Sequence, residues 1–334
     1  MKTLYDANDP TSPALAEPKG NSLIGIDEDG IQPMTREYTQ AAQALIEDQA
    51  RFARGSIERA SAEFGPVWDA AFEQLLAHVY PDPAAMGDAV KGYAAFAVDS
   101  MRRQRRFEKE REYPAKTFAE AAQEVYLNDE YMQTQYLPGL LLSHYLWSHH
   151  YLQLQYFHRF FLPSMAKQAH PRFAEVGIGT GVYSRIALQT VPAAEGFGYD
   201  LSPVSVRFTR AHLEAFGLLG RYNTNLRDVI EHPPEDQLGH VICVEVLEHL
   251  EDPVALMRAL KNMTNSDGKL FITAALNAAN ADHIYLYRNA EEVLVQAADA
   301  GLHVEHYYFA NAYPAPNRGV PVPGAMAMVC TPER

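Results

Sequence analysis

Residues 173–184 read Phe173-Ala174-Glu175-Val176-Gly177-Ile178-Gly179-Thr180-Gly181-Val182-Tyr183-Ser184, and the rest of the chain is organised around them. A short apolar run of strand formers leads into three glycines at alternate positions, and helix formers follow from Ser184 to Leu188. That order is strand, tight turn, helix N-terminus. Glycine suits such a turn because the backbone there takes φ > 0, and because a ligand must approach the bare main chain closely. Dinucleotide folds space their glycines G-x-G-x-x-G, but Val182 occupies the place of the third. The spacing here is E-x-G-x-G-x-G.

Outward from this stretch, the sequence after Pro163 alternates strand and helix patterns, the signature of a doubly wound α/β sheet. It predicts strands over 172–176, 196–200, 220–225, 240–246, 269–275, 303–310 and 325–331, and helices over 181–190, 203–216, 253–263 and 290–300. Only the Pro/Gly-rich loop 313–324 separates the last two strands, so they are expected to pair as a hairpin. Asp200 ends the second strand about 20 residues beyond the glycines, where open nucleotide-binding sheets place the acid that takes the ribose hydroxyls. A carboxylate can accept from both hydroxyls at once. Asp228 follows the third strand in Asn225-Leu226-Arg227-Asp228-Val229. The fourth strand runs into Glu245-Val246-Leu247-Glu248-His249-Leu250, and strand C-termini face the ligand crevice of an open sheet.

The E-x-G-x-G-x-G spacing resembles motif I of class I S-adenosylmethionine (SAM) methyltransferases, and the resemblance covers about Pro171 to Arg334. It implies a Rossmann-like seven-stranded sheet ending in an antiparallel hairpin, with SAM as cofactor and the glycines beneath its methionine part. It also implies that Asp228 accepts from the adenine amino group while Val229 packs on the ring. The implied cofactor set is Glu175, Gly177, Gly179, Gly181, Asp200, Leu201, Asp228, Val229 and Glu245. The E-V-L-E-H-L segment resembles that of ubiquinone-pathway O-methyltransferases and of many other small-molecule methyltransferases. His249 titrates in the useful range and is the candidate base or acceptor-orienting group, with Glu248 beside it; bracing of the following helix is the alternative role for both. Certain metal-assisted O-methyltransferases, acting in the ubiquinone pathway or on small-RNA 2′-hydroxyls, bind a divalent ion with E-x-x-E-H. By that resemblance Glu245, Glu248 and His249, with His283 after the fifth strand, form an alternative metal set, whereas other chains with the same string use no metal.

The N-terminal half reads differently. Residues 1–33 hold Pro10, Pro13, Pro18, Gly20, Gly25 and Gly30 among many acids and are expected to be a flexible arm. Residues 34–165 are expected to form an all-helical domain that caps the substrate and mediates dimerisation, ahead of a SAM-binding domain at 166–334. Helices are predicted from 35 to about 64, broken by Gly65-Pro66, then to 79, and over 86–112. The run Arg102, Arg103, Arg105, Arg106 is followed at once by Glu108, Glu110 and Glu112, which reads as a solvated face of ion pairs. Residues 140–162 are apolar nearly all round, with His144, His149, His150, Gln153, Gln155, His158 and Arg159 interspersed. A helix without a polar face is buried. Two roles stay open for it: a core helix with satisfied histidines, or a wall in which Tyr136, His144, Trp147, His149 and Tyr151 bound an acceptor pocket, with His283 on the opposite rim.

Composition sets limits. The 334 residues carry a formal charge of −14, which argues against a general nucleic-acid binder. The two cysteines, Cys243 and Cys330, fall in apolar strand-like runs, so a reducing cytoplasm is expected and a disulfide framework is not. The start reaches acids and Pro10 too soon for a signal peptide, and no apolar run approaches bilayer length. The expected protein is a cytoplasmic, homodimeric methyltransferase acting on a small, aromatic or amino-acid-like acceptor of the kind met in secondary metabolism, and releasing S-adenosylhomocysteine. Two alternatives stand beside it. An aminopropyl transferase would use decarboxylated SAM on the same fold, although Glu245 and Glu248 stand where that class carries aspartates. A catalytically silent SAM-binding subunit would lend its helices to a partner.

Overall fold

The computed structural model describes residues 2–6, 22–23, 26–27, 35–315, 317 and 320–333. Its strands are β1 (Lys2–Asp6), β2 (Arg172–Val176), β3 (Glu195–Asp200), β4 (Tyr222–Leu226), β5 (Leu238–Cys243), β6 (Thr264–Leu276), β7 (Leu302–Asn311) and β8 (Gly324–Pro332). They form one sheet in the order β1-β7-β8-β6-β5-β2-β3-β4. The run from β6 through β5, β2 and β3 to β4 is parallel, and β8 pairs antiparallel with both β6 and β7, which is the expected hairpin. Chain order reverses between β2 and β5, the switch point at which open sheets bind ligands beyond their strand C-termini.

Side chains alternate across these strands and divide the core into two faces. Phe173, Ile242, Phe271 and Val329 share a buried cluster with the N-terminal helices. Their neighbours Ala174, Val241, Leu270 and Met328 belong to a second cluster with helices α9 (Pro253–Asn262) and α10 (Ala290–Asp299). The central strand β5 is covered on both faces, so it reads as a continuous buried run rather than an alternating one.

The helical region comprises α1 (Glu37–Gln49), α2 (Ser56–Val79), α3 (Pro83–Glu110), α4 (Phe118–Glu124), α5 (Leu137–Leu146) and α6 (Ser148–Phe160). Helices α7 (Val182–Thr190) and α8 (Pro203–Ala215) follow β2 and β3. Three boundaries differ from expectation. The helix expected over 35–64 is interrupted before Gly55, which takes φ 69°. The break expected at Gly65-Pro66 is a kink inside α2, with Gly65 at φ 72° and Pro66 restarting the helix where no N–H is required. The helix expected over 140–162 divides at Trp147, whose extended backbone (φ −107°, ψ 115°) turns α5 into α6. Of the expected arm, residues 2–6 pair parallel with β7 and 22–23 pair with 26–27; the rest of the arm, and so its flexibility, lies outside the described residues. Among the described residues no helix is long and apolar enough to cross a membrane.

Candidate functional site

The three glycines sit beyond the end of β2 at φ 72°, 44° and 73°, the left-handed region that only glycine adopts without strain. A Cβ on Gly177 would lie 2.4 Å from Val246 Cγ2, and one on Gly181 would lie 2.7 Å from Thr209 Cγ2. The surroundings of Gly179 are different. The nearest atom to a Cβ there is 3.9 Å away, because Gly179 faces a cavity. The turn is fastened from α8: Thr209 Oγ1 donates to Gly179 O at 3.0 Å and His212 Nδ1 to Thr180 O at 2.7 Å. Glu175 is buried beneath it and accepts from the amide of Ser184 at 2.9 Å and from its hydroxyl, which ties β2 to the first turn of α7. Burial pushes the Glu175 carboxyl up to about 8.

Asp200 accepts from Gly179 N at 3.1 Å and from Ser202 N at 2.8 Å, and burial raises it to about 6. Asp228 Oδ1 accepts from Ile230 N at 2.8 Å and from Glu231 N at 3.2 Å. Leu201 is exposed at the rim and Val229 is buried. All four, with Gly177 and Gly179, line one cavity of about 1000 Å³; Gly181 is not among its walls.

After β5 the chain turns sharply. The strand ends at Cys243, three residues before the expected end, and Glu245 takes φ 52°. Its amide donates to Thr273 Oγ1 at 2.8 Å, while its Oε1 accepts from that hydroxyl at 2.7 Å and from Gln153 Nε2 at 3.1 Å. Gln153 in turn accepts from Tyr183 at 3.0 Å. Glu248 is fully buried and is not among the cavity walls; its carboxyl makes no well-formed hydrogen bond, although its own amide, the amide of Ala275 and the Glu245 carboxyl lie close to it. Burial, and the Glu245 carboxylate beside it, push it well above the usual carboxylate range. The expectation that Glu248 faces an acceptor is therefore corrected: it is buried and absent from the cavity walls.

His249 does face the cavity, and burial lowers it below the ordinary imidazole value, with Asp282 opposing. Its Nδ1 is 2.6 Å from the Tyr126 hydroxyl, and its Nε2 is 3.9 Å from Glu248 Oε1 and 3.7 Å from Asp282 Oδ2. Asp282 Oδ2 also accepts from Tyr126 at 2.9 Å and from Tyr136 at 2.7 Å. Burial alone would raise Asp282, but His249, His283 and these two hydroxyls outweigh it and hold the carboxylate low. His283 Nδ1 lies 2.7 Å from Ala278 O and therefore carries the proton, which leaves Nε2 with its lone pair. One ligand atom each from Glu248, His249 and His283 falls within 4.8 Å of the others. Glu245, the fourth member of the expected metal set, is instead held by Thr273 and Gln153. The fit test for a cation is the Glu248 carboxyl itself: a buried acid with no well-formed hydrogen bond, pressed against the Glu245 carboxyl, calls for a proton or a positive partner.

The opposite wall comes from the helical region. Tyr136, His144, Trp147 and His149 line the cavity, as does His283. Trp147 stacks on Phe96 at 5.8 Å and donates to Tyr93 OH at 3.1 Å. Burial lowers His144 to about 3 and His149 to about 4, so both are neutral. Tyr151 is a correction: it points into the core and packs on Phe64 at 4.6 Å and on Tyr145 at 5.9 Å.

Sequence reasoning missed Tyr126, Asp282, Gln153 and Gln104. Gln104 of α3 clamps the loop after β6, donating to Asn277 O at 3.1 Å and accepting from Ala279 N at 3.0 Å. A polar side chain inside the buried stripe of a helix was the available signal for Gln104 and Gln153.

Residues 174–270 match the family model described as a methyltransferase domain. The ubiquinone biosynthesis O-methyltransferase of Xanthomonas axonopodis pv. citri (strain 306) is 27% identical over 113 residues, covering 34% of this chain and 46% of that protein. The enzyme of the same name from Stutzerimonas stutzeri (strain A1501) is 27% identical over 135 residues, covering 40% and 56%. The chain thus spans about half the length of the curated relatives it matches. A SAM-dependent methyltransferase from Geobacter sulfurreducens, solved in complex with S-adenosyl-L-homocysteine, is 13% identical with a TM-score of 0.41 over 52% of this chain and 88% of that one. The matched segment holds the glycine turn, Asp200, Asp228 and His249 on the sheet described above, so residues 174–270 of this chain are a methyltransferase domain.

Proposed function

We propose that this chain transfers the methyl group of SAM to a small-molecule acceptor and releases S-adenosylhomocysteine. One observation carries the reading. A single cavity runs from the glycine turn, Asp200 and Asp228, past His249, to an aromatic and histidine-lined wall of the helical region. Its volume, about 1000 Å³, lies at the top of the range for ligand sites, as two reactants side by side would require. Asp200 would take the ribose hydroxyls and Asp228 the adenine amino group, while Gly179 leaves room for the methionine part.

In this reading the acceptor's nucleophilic atom attacks the sulfonium methyl in line, the C–S bond breaks, and its electron pair stays on sulfur. The protein's work is positioning, exclusion of water and removal of one proton. His249 is neutral, and its Nε2 takes that proton while Asp282, 3.7 Å away, offsets the imidazolium. Incubation with SAM and a metabolite extract, followed by mass identification of the nucleoside product, tests it. Methylthioadenosine would indicate aminopropyl transfer, and bound but unconverted SAM a silent subunit.

The buried Glu248 carboxyl, without a well-formed hydrogen bond and converging with two imidazoles, favours a second reading, in which Glu248, His249 and His283 hold a divalent ion. Such an ion, when bound, acidifies a coordinated acceptor hydroxyl. The readings differ at one atom: His249 Nε2 is the base in the first and a ligand in the second. Metal analysis of purified protein with activity before and after EDTA separates them, and full activity in the stripped sample removes the ion. The helical region is also our candidate for a homodimer interface, which sedimentation velocity tests. The unpaired, buried Cys243 and Cys330 suit a reducing, cytoplasmic setting.

A further inference from the structure

Tyr126 lies between α4 and the turn that precedes α5, so it belongs to the helical region, yet its side chain reaches across to the sheet. Its hydroxyl is 2.6 Å from His249 Nδ1 and 2.9 Å from Asp282 Oδ2. Its carbonyl accepts from Ser202 Oγ at 3.2 Å, and Ser202 N donates to Asp200. The residue is thus fixed at both ends, one end beside the nucleoside acid and the other against the imidazole.

A phenol has one proton to give. The Asp282 carboxylate is acceptor-only and already takes the Tyr136 hydroxyl at 2.7 Å. The Tyr126 proton therefore goes to Asp282, since turning it towards His249 would leave two bare oxygens facing each other at 2.9 Å. The phenol oxygen is then an acceptor towards His249, and Nδ1 must carry the imidazole proton. Nε2 keeps its lone pair on the side where Glu248 and His283 converge. We infer that Tyr126 is a positioning residue through which the helical region fixes the Nδ1–H tautomer of His249, and so makes its Nε2 available to the acceptor proton or to a cation. Nothing in the E-V-L-E-H-L string carries this device. The tautomer is supplied by a residue 123 positions earlier in the chain. Partners of this kind, acting on the remote nitrogen of a histidine, commonly set both its orientation and its ligand strength.

The test uses the full-length protein labelled with 15N in its imidazoles, the His249 signals being assigned by their loss in His249→Gln. In the metal-free wild type, the shifts should show a protonated Nδ1 and an unprotonated Nε2. Tyr126→Phe should move the populations towards Nε2–H, whereas Tyr136→Phe, which removes a contact to Asp282 only, should leave the pattern in place. Calorimetry with Mn²⁺ should then show an affinity about 10–100-fold weaker in Tyr126→Phe than in wild type. A wild-type His249 protonated at Nε2, or a Tyr126→Phe spectrum unchanged from wild type, overturns the inference; the first needs no variant to fold. The Mn²⁺ arm rests on the metal reading and the tautomer arm does not. Failure of wild type to bind Mn²⁺ would therefore remove the metal while leaving the positioning role to the spectra.

Discussion

Gly179 and Asp200 carry the sharpest consequences of the cofactor assignment. Gly179 is at φ 44° and opens on the cavity, so Gly179→Val both strains the backbone and fills space assigned to the methionine part of SAM. SAM affinity should collapse while the sheet persists, as calorimetry and circular dichroism would show together. Asp200→Ala removes the acceptor for two backbone amides as well as the assigned ribose contact. Its expected loss is about 1–3 kcal/mol in SAM binding; unchanged affinity in a folded variant would take Asp200 out of the cofactor site. These residues were legible because their spacing is local: strand, turn and acid follow one another along the chain. Tyr126 and Asp282 were not, since their meeting with His249 spans 123 and 33 positions and leaves no periodic trace. Glu248 misled for a related reason: the string E-x-x-E-H does not reveal that the strand ends at Cys243, which turns Glu248 inward.

At the scale of elements, strand and helix identities in the sheet half were legible to within a few residues, because alternation and glycine punctuation are strong there. The helical half was harder. A stretch that is apolar all round gives no face to follow, so the turn at Trp147 and the inward aim of Tyr151 were both hidden. Besides the shared core, side chains of the helical half reach backbone groups of the loop after β6. Gln104 holds Asn277 and Ala279, Tyr113 donates to Ala278 O at 2.5 Å, and Lys116 to Ala281 O at 2.8 Å. That loop carries Asp282 and His283. Gln104→Ala should leave Ala279 N and Asn277 O unpaired at a cost of about 1–3 kcal/mol. Faster amide exchange confined to 277–285 is the expected outcome by mass spectrometry. Exchange unchanged in that loop would mean that the other two contacts suffice.

The whole molecule holds many ionisable groups away from water, and this sets its response to pH. Nine histidines are depressed by burial: His144, His149, His150, His158, His212, His240, His249, His283 and His306. Each is neutral in the fold but takes up a proton below about pH 6.5 when the chain unfolds. The stability they confer is therefore present above about pH 6.5 and lost as pH falls towards their folded values, about 4 for His158. Among the described residues, four carboxyls act in the opposite sense. Glu175, Asp200, Glu245 and Glu248 are raised by burial, so each favours the fold at low pH and loses that contribution as pH climbs, through about 8 for Glu175. Among the described residues, nine histidines against four raised carboxyls leave the limb between pH 6.5 and 4 to the histidines, with lowered carboxyls such as Asp282 adding to the loss only at lower pH. Urea midpoints should therefore fall steeply from pH 6.5 towards pH 4, and decline more gently from neutrality to pH 8. His158 isolates the effect, because it sits in α6 outside the cavity with Nε2 unpartnered. His158→Gln should flatten the acid limb by up to about 1.4 kcal/mol per pH unit, one proton's worth, with little change at pH 8. An acid limb of unaltered slope in that variant would show that His158 is already protonated in the folded chain.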